Sequence, residues 1–440
     1  MLPESSIRND LFYISLSPPY CIYPMSCCLE PGLNSVNLTG KRRPIHQQCI
    51  PANNMTTALN ILMITTSSIY CIGLLFFFTG LFLPNRKRQN EKPVISIIIA
   101  ARNEENHIEH ILGDLMNQTY PKNKVEIIIV NDHSEDATGQ IVETISKKDH
   151  RIKYFNVTKT EEGLTAKKNA IFQGIRNSRG EIILTTDADC RVLPTWMETM
   201  VSYFEPDVGM VVGFSQLGRK GEKRTLFQKL QAIDFLSLMS AAQGSLNLNW
   251  PLAASGQNLA YRRSAFEEVD GFKEIGHRIS GDDVLLLQLI HQKTSWKIRF
   301  APSQQCYNTS EPETSIHDFF NQRKRWASNG SYQIRLNRLF FFFVIMTFLV
   351  NASLLIGACM VLIFSKSATL LMTSLIIKLC VEGFLIWKGC SIYRRFDLFK
   401  IFPLWFVLQI PYVFLVGLLG TIGQFTWKNR IHSPSYSTKK

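Results

Sequence analysis

Charged side chains are scarce in this chain of 440 residues, at 19%, whereas hydrophobic residues make up 46%. Such a composition is not that of a simple soluble protein. The length leaves room for a domain of ordinary size together with several membrane spans. The apolar stretches show no internal repeat, which disfavours a transporter built from repeated helical bundles.

The ten cysteines lack the spacing of a metal site. Cys27 and Cys28 are adjacent, and several others fall within apolar stretches. A disulfide framework is not expected in a cytosolic domain. Cys190, which lies beside an acidic pair, is expected to be a small buried residue rather than a nucleophile.

The sequence has no basic stripe interleaved with aromatic residues, although its formal net charge is +13. Dispersed Lys and Arg disfavour nucleic-acid binding. Anchoring of membrane-proximal basic residues to anionic lipid headgroups explains most of the excess. The alternative explanation of the positive charge is attraction for a nucleotide diphosphate, for which a few basic residues would be enough.

Three uncharged apolar stretches, at residues 57–83, 339–364 and 401–425, are long enough to cross a hydrocarbon core of about 30 Å. A fourth, at 369–387, is interrupted by Lys378 and Glu382, which lie four residues apart and could pair on one helix face. We therefore expect a transmembrane helix at 56–84 and about three more within 336–427.

The basic residues that flank these stretches predict an orientation. Arg86, Lys87 and Arg88 follow the first stretch, which favours a cytosolic location for the polar region after it, in a multi-pass protein of the plasma or inner membrane. Four crossings would put the basic tail at 428–440 outside. Either one C-terminal stretch does not cross, or the charge bias is broken there.

The first 55 residues mix Pro, Cys and Ser without a sustained period, and we expect a poorly structured segment at 1–55. Its short apolar patch is wrongly flanked for a signal peptide. Met55 stands immediately before the first apolar stretch. We expect translation to begin there, which the intact mass of the native protein would check.

From residue 93 to 335 the pattern alternates between strand and helix. The run VISIIIAA predicts a buried strand, residues 106–117 have apolar positions at helical spacing, and VEIIIV at 125–130 predicts a second strand before another helix. This order predicts an α/β domain with a right-handed parallel sheet. Ligands bind at the carboxyl ends of such strands, where Arg102, Glu104 and Asp132 would emerge.

Two polar positions near these ends have alternative roles. Asp132, in IIIVNDHSED, can accept a hydrogen bond from a base or a ribose, or it can be a turn or helix-capping residue. Lys167, in GLTAKKNA at the start of a helical stretch, can neutralise phosphate or be a solvated lysine.

Asp187 and Asp189 follow the apolar strand EIILTT and leave its end in the same direction. Hard cations such as Mg²⁺ or Mn²⁺ prefer oxygen ligands and keep substrate phosphates in their shell. The pair therefore predicts a metal site that holds a diphosphate, although an Asp-x-Asp pattern also occurs in ordinary loops.

Asp282 and Asp283 precede the apolar run VLLLQLI, which predicts a helix. Transfer of a group to an acceptor hydroxyl needs a carboxylate that takes the proton from the attacking hydroxyl, and an aspartate at this position can instead cap the helix. We assign the base to Asp283, with Asp282 as its neighbour, and expect one role for each residue.

In QRKRW, Gln322, Arg325 and Trp326 share one helix face at i, i+3 and i+4. Arg325 can hold a pyrophosphate, and the indole can stack on a sugar ring or a lipid-facing surface. The alternative is an amphipathic membrane-surface helix whose basic residues reach the headgroups.

The order AARNEE, VNDHSED, DAD, GDD and QRKRW resembles the membrane-bound glycosyltransferase family 2, which includes cellulose, chitin, hyaluronan and poly-N-acetylglucosamine synthases and ceramide glucosyltransferases. The resemblance covers residues 93–331 and the flanking apolar stretches. It implies a GT-A fold, with a mostly parallel Rossmann-like sheet flanked by helices. It also implies a UDP-sugar donor, Mg²⁺ or Mn²⁺, and inversion at the anomeric carbon.

The resemblance also implies site residues. The donor-binding residues would be Ala101, Arg102, Glu104, Asp132, Lys167 and Asp187. The metal ligands would be Asp187 and Asp189, and the catalytic residues Asp283 and Asp282. The pyrophosphate and acceptor clamp would be Gln322, Arg323, Arg325 and Trp326. The chain departs from the family with Asp282 in place of the usual Glu and Asn131 in place of the usual Asp.

The expected function is transfer of a sugar from a nucleotide-sugar donor to a lipid or glycan acceptor among membrane lipids, with no nucleic-acid partner. A polymer would need a channel, which three C-terminal spans form only by self-association or with a partner subunit. A membrane-anchored nucleotide-sugar-binding scaffold without catalysis is the alternative. It is disfavoured because the acidic pairs are intact.

Overall fold

The computed structural model describes residues 35–36, 42–43, 52–84, 91–330, 332–364, 367–422, 425–427 and 430–432. The chain divides into two compact units, Met1–Met55 and Thr56–Lys440. In the first unit, β1 (Ser35–Val36) pairs antiparallel with β2 (Arg42–Arg43). The predicted basic run at 86–88 lies outside the described residues, as does most of the segment predicted to be poorly structured.

Between its first long apolar helix and the C-terminal ones, the second unit alternates strands and helices. Its strands up to the apolar helices are β3 (Ile95–Ala101), β4 (Val125–Asn131), β5 (Ile152–Asn156), β6 (Ile182–Thr185), β7 (Arg191–Val192), β8 (Val208–Gly213), β9 (Ser215–Leu217), β10 (Leu259–Arg262), β11 (Lys297–Ala301) and β12 (Asn308–Ser310).

The helices before the C-terminal apolar region are α1 (Ala52–Gly80), α2 (Ile108–Met116), α3 (Thr138–Ser146), α4 (Ala166–Arg176), α5 (Trp196–Val201), α6 (Leu226–Asn247), α7 (Arg263–Glu268), α8 (Val284–Lys293), α9 (Ile316–Ala327) and α10 (Gln333–Leu336). Those that follow are α11 (Arg338–Phe364), α12 (Thr369–Tyr393), α13 (Phe396–Phe399) and α14 (Phe402–Ile422). Short 3-10 turns occur at Lys122–Lys124 and Gln304–Cys306.

The main sheet has seven strands in the order β11-β8-β10-β6-β3-β4-β5. Strands β3, β4, β5 and β6 are parallel, and β8 is parallel to β11. Strand β10 is antiparallel to both of its neighbours. The sequence pattern predicted a parallel sheet, and the mostly parallel α/β fold is confirmed with this one reversed strand.

Burial explains why the central strands are so rich in Ile and Val. Every residue of β4 is buried, as are all but one of β3, because helices cover both faces of the sheet. Helix α2 packs Ile108, Ile111, Leu112 and Leu115 against one face, at the predicted helical spacing. Helix α4 lies near β3 and β4, with Ile171 and Ile175 in the core of the other face.

A smaller sheet of three strands, in the order β7-β12-β9, lies beside the main one. Strand β7 follows β6 after only five residues, and those five residues contain Asp187 and Asp189. Because β3, β4 and β6 are parallel, the loops after all three leave the same edge of the sheet. This edge carries the polar positions that the sequence singled out.

Four of the described helices are long and apolar enough to cross a membrane, as expected from the sequence. Their candidate spans are Thr56–Gly80, Arg338–Ile363, Thr369–Tyr393 and Phe402–Gly420. The predicted pairing within α12 is also confirmed, since Lys378 Nζ lies 2.7 Å from Glu382 Oε1. Tyr70 of α1 and Gln409 of α14 donate to the two oxygens of Glu382, at 2.6 and 2.5 Å.

Helix α14 also follows the surface of the α/β domain. Tyr412 Oη accepts a hydrogen bond from Arg323 Nε of α9 at 2.9 Å, and Trp405 hydrogen-bonds to Asp234 of α6. Near its end, Gly420 approaches Ala327 of α9 so closely that an added Cβ would lie 2.4 Å from the alanine Cβ. The two helices therefore pack against each other at Arg323 and at Ala327, in the last turns of α9.

The chain beyond α14 forms a short hairpin, in which β13 (Phe425–Trp427) pairs antiparallel with β14 (Arg430–His432). The sequence pattern had given only a tail from residue 428. Strand β13 lies next to α9, so the chain leaves α14 beside the α/β domain.

Candidate active site

Asp132 lies at the edge where β3 and β4 end. Its backbone N–H donates to Ala101 O at 2.8 Å, and its carbonyl accepts from Arg102 at 3.3 Å. Its side chain is nearly buried, with Oδ1 3.1 Å from His133 Nδ1. The capping role that the sequence left open is wrong, because α3 begins after Ala137.

Reciprocal hydrogen bonds join the loops after β3 and β4. Asn103 N–H donates to Ser134 Oγ at 3.0 Å, and Glu135 N–H donates to Asn103 Oδ1 at 2.9 Å. Glu104 N–H donates to Thr138 Oγ1 at 2.8 Å. Two loops tied in this way keep the predicted donor-binding residues at the sheet edge in fixed positions.

Lys167 connects two acidic signatures that are far apart in sequence. Its Nζ lies 2.6 Å from Asp187 Oδ1, after β6, and 3.2 Å from Asp282 Oδ2, before α8. Burial lowers the pKa of Lys167, but the charges of Asp187 and Asp282 outweigh it and raise that pKa well above its usual range. The alternative of a solvated lysine is wrong, because Lys167 is held by two ion pairs and only 22% of its side chain is exposed.

Asp283 begins α8. Its Oδ1 accepts from Val284 N–H at 2.6 Å, and its Oδ2 accepts from Gly256 N–H at 2.8 Å. The structure places the helix cap on Asp283, the residue assigned as the base, whereas one role had been expected for each aspartate. The assignment of the base itself stays a prediction. Gly281 precedes the pair with a φ of 89°, a conformation that glycine adopts without a steric penalty.

The two adjacent carboxyl groups have opposite pKa shifts. Burial raises the pKa of Asp282, but the charges of Lys167 and Lys168 outweigh it and hold that pKa below its usual range. Burial and the charge of Asp282 raise the pKa of Asp283. A carboxylate with a raised pKa is a stronger base. Asp282 is therefore the ionised partner of Lys167, and Asp283 is the more basic of the two carboxylates.

Lys168, which the sequence interpretation missed, holds the backbone before Asp282. It is fully buried, and its Nζ donates to Arg278 O at 2.6 Å and to Ser280 O at 3.0 Å. Burial lowers the pKa of Lys168 to about 8. Two consecutive lysines at a helix start gave no sign of which one would be buried.

Arg325 lies near the same acidic groups. Burial lowers its pKa, and the charges of Asp282, Asp187 and Asp283 partly reverse that shift. Its backbone carbonyl accepts from Ser280 Oγ at 3.3 Å, which attaches α9 to the segment before Asp282. The charge of Arg325 therefore lies within electrostatic reach of all three carboxylates.

The remaining residues of QRKRW have structural partners. Gln322 Nε2 donates to Glu313 Oε1 at 2.9 Å. Arg323 is buried, and it donates to Asp234 Oδ2, Tyr412 Oη and Gln322 Oε1, each at 2.9 Å. The guanidinium carbon of Arg323 lies 4.2 Å from the centre of the Trp326 ring.

These contacts correct two expectations. The guanidinium of Arg323 is engaged by Asp234 and Tyr412, so the resemblance-based role of Arg323 as part of a pyrophosphate clamp is replaced by a structural one. Arg323 also packs against the Trp326 ring, and the expected stacking of Trp326 on a sugar or a lipid-facing surface stays a prediction. Nor is α9 a membrane-surface helix whose basic residues all reach headgroups, since Arg323 is 3% exposed.

The donor set suits a hard divalent cation. Asp187 is partly buried and Asp189 is exposed at the end of β6, and both offer carboxylate oxygens. Within the described part of the chain, no three His, Cys, Asp or Glu side chains form a metal cage. A cation here would complete its shell with water and substrate phosphate, which is how Mg²⁺ is commonly bound.

Comparison with known proteins identifies the family. The model of Glycosyl transferase family 2 matches residues 96–270. The probable glycosyltransferase YdaM of Bacillus subtilis is 30% identical over 336 residues, which cover 68% of this chain and 76% of that protein. The chain belongs to glycosyl transferase family 2. As a member of family 2 it is a glycosyltransferase that acts on nucleotide sugars.

This family 2 glycosyltransferase is also similar to the poly-beta-1,6-N-acetyl-D-glucosamine synthase of Staphylococcus epidermidis. The two are 28% identical over 239 residues, which are 54% of each chain. Among solved structures, the mannosyltransferase PcManGT from Pyrobaculum calidifontis, in complex with GDP-Man and Mn²⁺, has a TM-score of 0.55. It is 18% identical, and the match covers 77% of this chain and 99% of PcManGT, which supports the GT-A fold alone.

The contacts of Arg323 predict thermodynamic coupling to Asp234. Removal of one partner of a buried ion pair costs about 3–5 kcal/mol, because the other charge stays buried without compensation. We expect Asp234→Asn and Arg323→Gln each to lower the thermal unfolding midpoint strongly in detergent. The double variant should lose less than the sum of the two.

Lys324→Gln on the same helix is the matched control and should leave the midpoint almost unchanged. Additive losses in the double variant would contradict the pairing. So would loss of nucleotide binding in Arg323→Gln with an unchanged midpoint, which is the result expected of a diphosphate ligand.

Proposed function

We propose that this protein is an inverting, metal-dependent glycosyltransferase that moves a sugar from a UDP-sugar to an acceptor at the membrane. The chain of ion pairs from Asp187 through Lys167 to Asp282 is the observation that carries the proposal. It joins the carboxyl end of β6 to the start of α8, where Asp283 lies next in sequence. A diphosphate-binding position and a proton acceptor are thereby brought together.

The edge after β3 and β4 would bind the nucleotide. Ala101 ends β3, and Arg102, Glu104 and Asp132 lie in the two hydrogen-bonded loops, where Asp132 offers a carboxylate to a base or ribose donor. Lys167 would contact the donor side of the diphosphate. This arrangement follows the rule that ligands of such sheets bind beyond the carboxyl ends of the strands.

Asp187 and Asp189 would hold Mg²⁺ or Mn²⁺ together with the diphosphate. A divalent cation bound there would offset the negative charge that develops on the leaving nucleoside diphosphate.

Asp283 would act as the general base. Its carboxylate takes the proton of the acceptor hydroxyl, and the hydroxyl oxygen attacks the anomeric carbon from the face opposite the diphosphate. The bond between the anomeric carbon and the diphosphate oxygen breaks, and its electron pair leaves with the nucleoside diphosphate. Arg325 and Lys167 stabilise the departing charge. One displacement of this kind inverts the anomeric centre.

The acceptor would be a lipid or a growing polysaccharide at the membrane. Helix α9 carries Arg325 and packs along α14, an apolar helix, so the site lies beside the membrane region. Similarity to the poly-N-acetylglucosamine synthase named above favours a glycan acceptor. A lipid acceptor would need only an entrance to the site at membrane level. Extraction of labelled product into organic solvent separates the two.

We also propose that α1, α11 and α12 cross the membrane and that α14 does not. A 21-residue helix is about 30 Å long and would separate its ends by the full hydrocarbon core if it crossed. Contacts near the two ends of α14 instead join it to one α/β domain, through Trp405 to α6 and through Gly420 to α9. Pro411 in the middle of α14 removes a helical hydrogen bond and permits a bend.

The charge of α9 supports this arrangement. Tyr412 and Gly420, eight residues apart on α14, pack against Arg323 and Ala327 of α9. If α14 crossed the hydrocarbon core, α9 would have to enter it with Asp318, Arg323, Lys324 and Arg325, which is very costly. Three crossings place the catalytic domain and the basic C-terminal tail on the same cytosolic side, which removes the charge conflict in the sequence.

The division of roles in the site predicts different losses in two variants. Asp283→Asn should abolish transfer yet still bind the nucleotide sugar, because Asn can still cap Val284 N–H through its side-chain oxygen and lacks the basic carboxylate. Asp189→Ala should weaken the part of nucleotide binding that depends on Mn²⁺. Titration calorimetry with a UDP-sugar, with and without Mn²⁺, measures both. Equal loss of binding in the two variants would refute the assignment.

The raised pKa of Asp283 predicts a pH dependence with a defined sign. The base must be ionised, so the rate of transfer should fall as the pH drops through the raised pKa of Asp283. Because the charge of Asp282 contributes to that rise, Asp282→Asn should move the acidic limb to lower pH, even at a reduced rate. Profiles of kcat against pH for both proteins are the measurement. An acidic limb that stays in place or moves upward would contradict the proposed base.

The proposed topology predicts where inserted tags are exposed. A protease-cleavable tag at the C terminus should lie on the cytosolic side, and a tag in the connection between α11 and α12 should lie on the opposite side. Digestion of sealed vesicles of known orientation reads both positions. Cleavage of the two tags from the same side would show that α14 crosses.

A further inference from the structure

A second polar cleft is lined by none of the residues assigned to the sugar-transfer site. Its volume is about 410 Å³, within the range that small ligands occupy. We name it the basic cleft. It is lined by β7, β9 and β12 of the small sheet and by the chain that follows α12. Its charged lining consists of Arg191, Arg219, Lys220, Arg394 and Arg395.

The positive charge of the basic cleft is only partly neutralised. Arg191 forms a two-bond ion pair with Asp114, and Arg395 pairs with Asp397 at 3.1 Å. The side chains of Arg219, Lys220 and Arg394 form no ion pair within the described residues, and all three residues are exposed. No acidic side chain lines the cleft in that same part of the chain. Glu222 offsets part of the charge of Arg219, and the remaining positive charge around one cavity attracts an anion.

The backbone at one wall of the cleft is held in place. Arg395 donates to Gln216 Oε1 and to Gly218 O, both at 2.9 Å, which fixes the end of α12 against β9. Arg394, between this anchor and the helix, has φ 54° and ψ 36°, in the left-handed region that arginine rarely adopts. Helices commonly end on a residue in this conformation, and here it ends α12 at the edge of the cleft.

The location selects the anion. Tyr393 is the last residue of the candidate span in α12 and also lines the cleft, so Arg394 and Arg395 come directly after the apolar segment. Leu193, on the same lining, is 43% exposed and offers apolar surface next to the cations. Cations with an apolar neighbour at the end of a membrane span match a phosphate group that carries acyl chains.

We infer that the basic cleft binds the headgroup of an anionic phospholipid of the cytosolic leaflet. Arg219, Lys220 and Arg394 contact the phosphodiester, and Leu193 faces the glycerol and the start of the acyl chains. The inference rests on the proposed crossing of α12 and is independent of the sugar-transfer chemistry. None of the residues assigned to the donor, the metal or the base lines this cleft.

Binding to the purified full-length protein in a neutral detergent tests the inference. The probes are dioctanoyl-phosphatidylglycerol, dioctanoyl-phosphatidylcholine, inorganic phosphate and UDP, each titrated in microscale thermophoresis. The cleft variant is Arg219→Gln, Lys220→Gln, Arg394→Gln. Its matched control is Lys122→Gln, Lys147→Gln, Lys148→Gln, which removes the same charge from exposed positions elsewhere.

We expect saturable binding of phosphatidylglycerol that the cleft variant weakens about tenfold or more and the control weakens less than about twofold. Phosphatidylcholine should bind far more weakly to all three proteins. UDP should bind equally to all three proteins, which shows that the variants are folded and separates this site from the donor site.

Three results would overturn the inference. One is equal binding of phosphatidylglycerol by the wild type and the cleft variant. Another is binding of phosphatidylcholine that is as tight as that of phosphatidylglycerol. The third is displacement of phosphatidylglycerol by millimolar inorganic phosphate that binds as tightly as the lipid, which would assign the cleft to a free anion. If the cleft variant is unstable, Arg394→Gln alone, compared with Arg394→Lys, gives the same test with a single change.

Discussion

The ammonium group of Lys167 is the interaction on which the site depends. It is held between a carboxylate at the end of a strand and a carboxylate at the start of a helix, nearly a hundred residues later in the chain. Without that positive charge, Asp187, Asp282 and Asp283 would repel one another at close range in a partly buried setting. Its presence lets one aspartate stay ionised while its neighbour becomes more basic.

The parts of the fold that follow from periodicity were predictable from the sequence. Strands β3 and β4, helix α2 and the four apolar helices have patterns of burial that only one kind of element satisfies. The polar positions at strand ends were predictable for the same reason, because a parallel sheet directs its loops to one edge. Reversal of β10 was not predictable, since an antiparallel strand covered on both faces has the same composition as a parallel one.

Roles that depend on long-range partners were not predictable. Lys167 and Lys168 are adjacent and chemically identical, yet one faces the carboxylates and the other is buried against backbone carbonyls. Arg323 and Arg325 differ in the same way: one turns to Asp234 and the other lies near the acidic cluster. Helical spacing predicts which residues share a face but not which residues that face contacts. Asp234 and Tyr412, which determine the environment of Arg323, belong to no local motif.

Asp283 both closes the first turn of α8 and is assigned to receive the proton of the acceptor. An ionised carboxylate holds backbone N–H groups more strongly than a neutral one, so each proton that Asp283 accepts weakens its grip on Val284 and Gly256. If Asp283 is the base, the start of the helix and the neighbouring loop would be looser in the interval after bond formation than before it. The glycosylated acceptor would then leave from a loosened site, and loss of the proton to water would restore the hydrogen bonds for the next cycle.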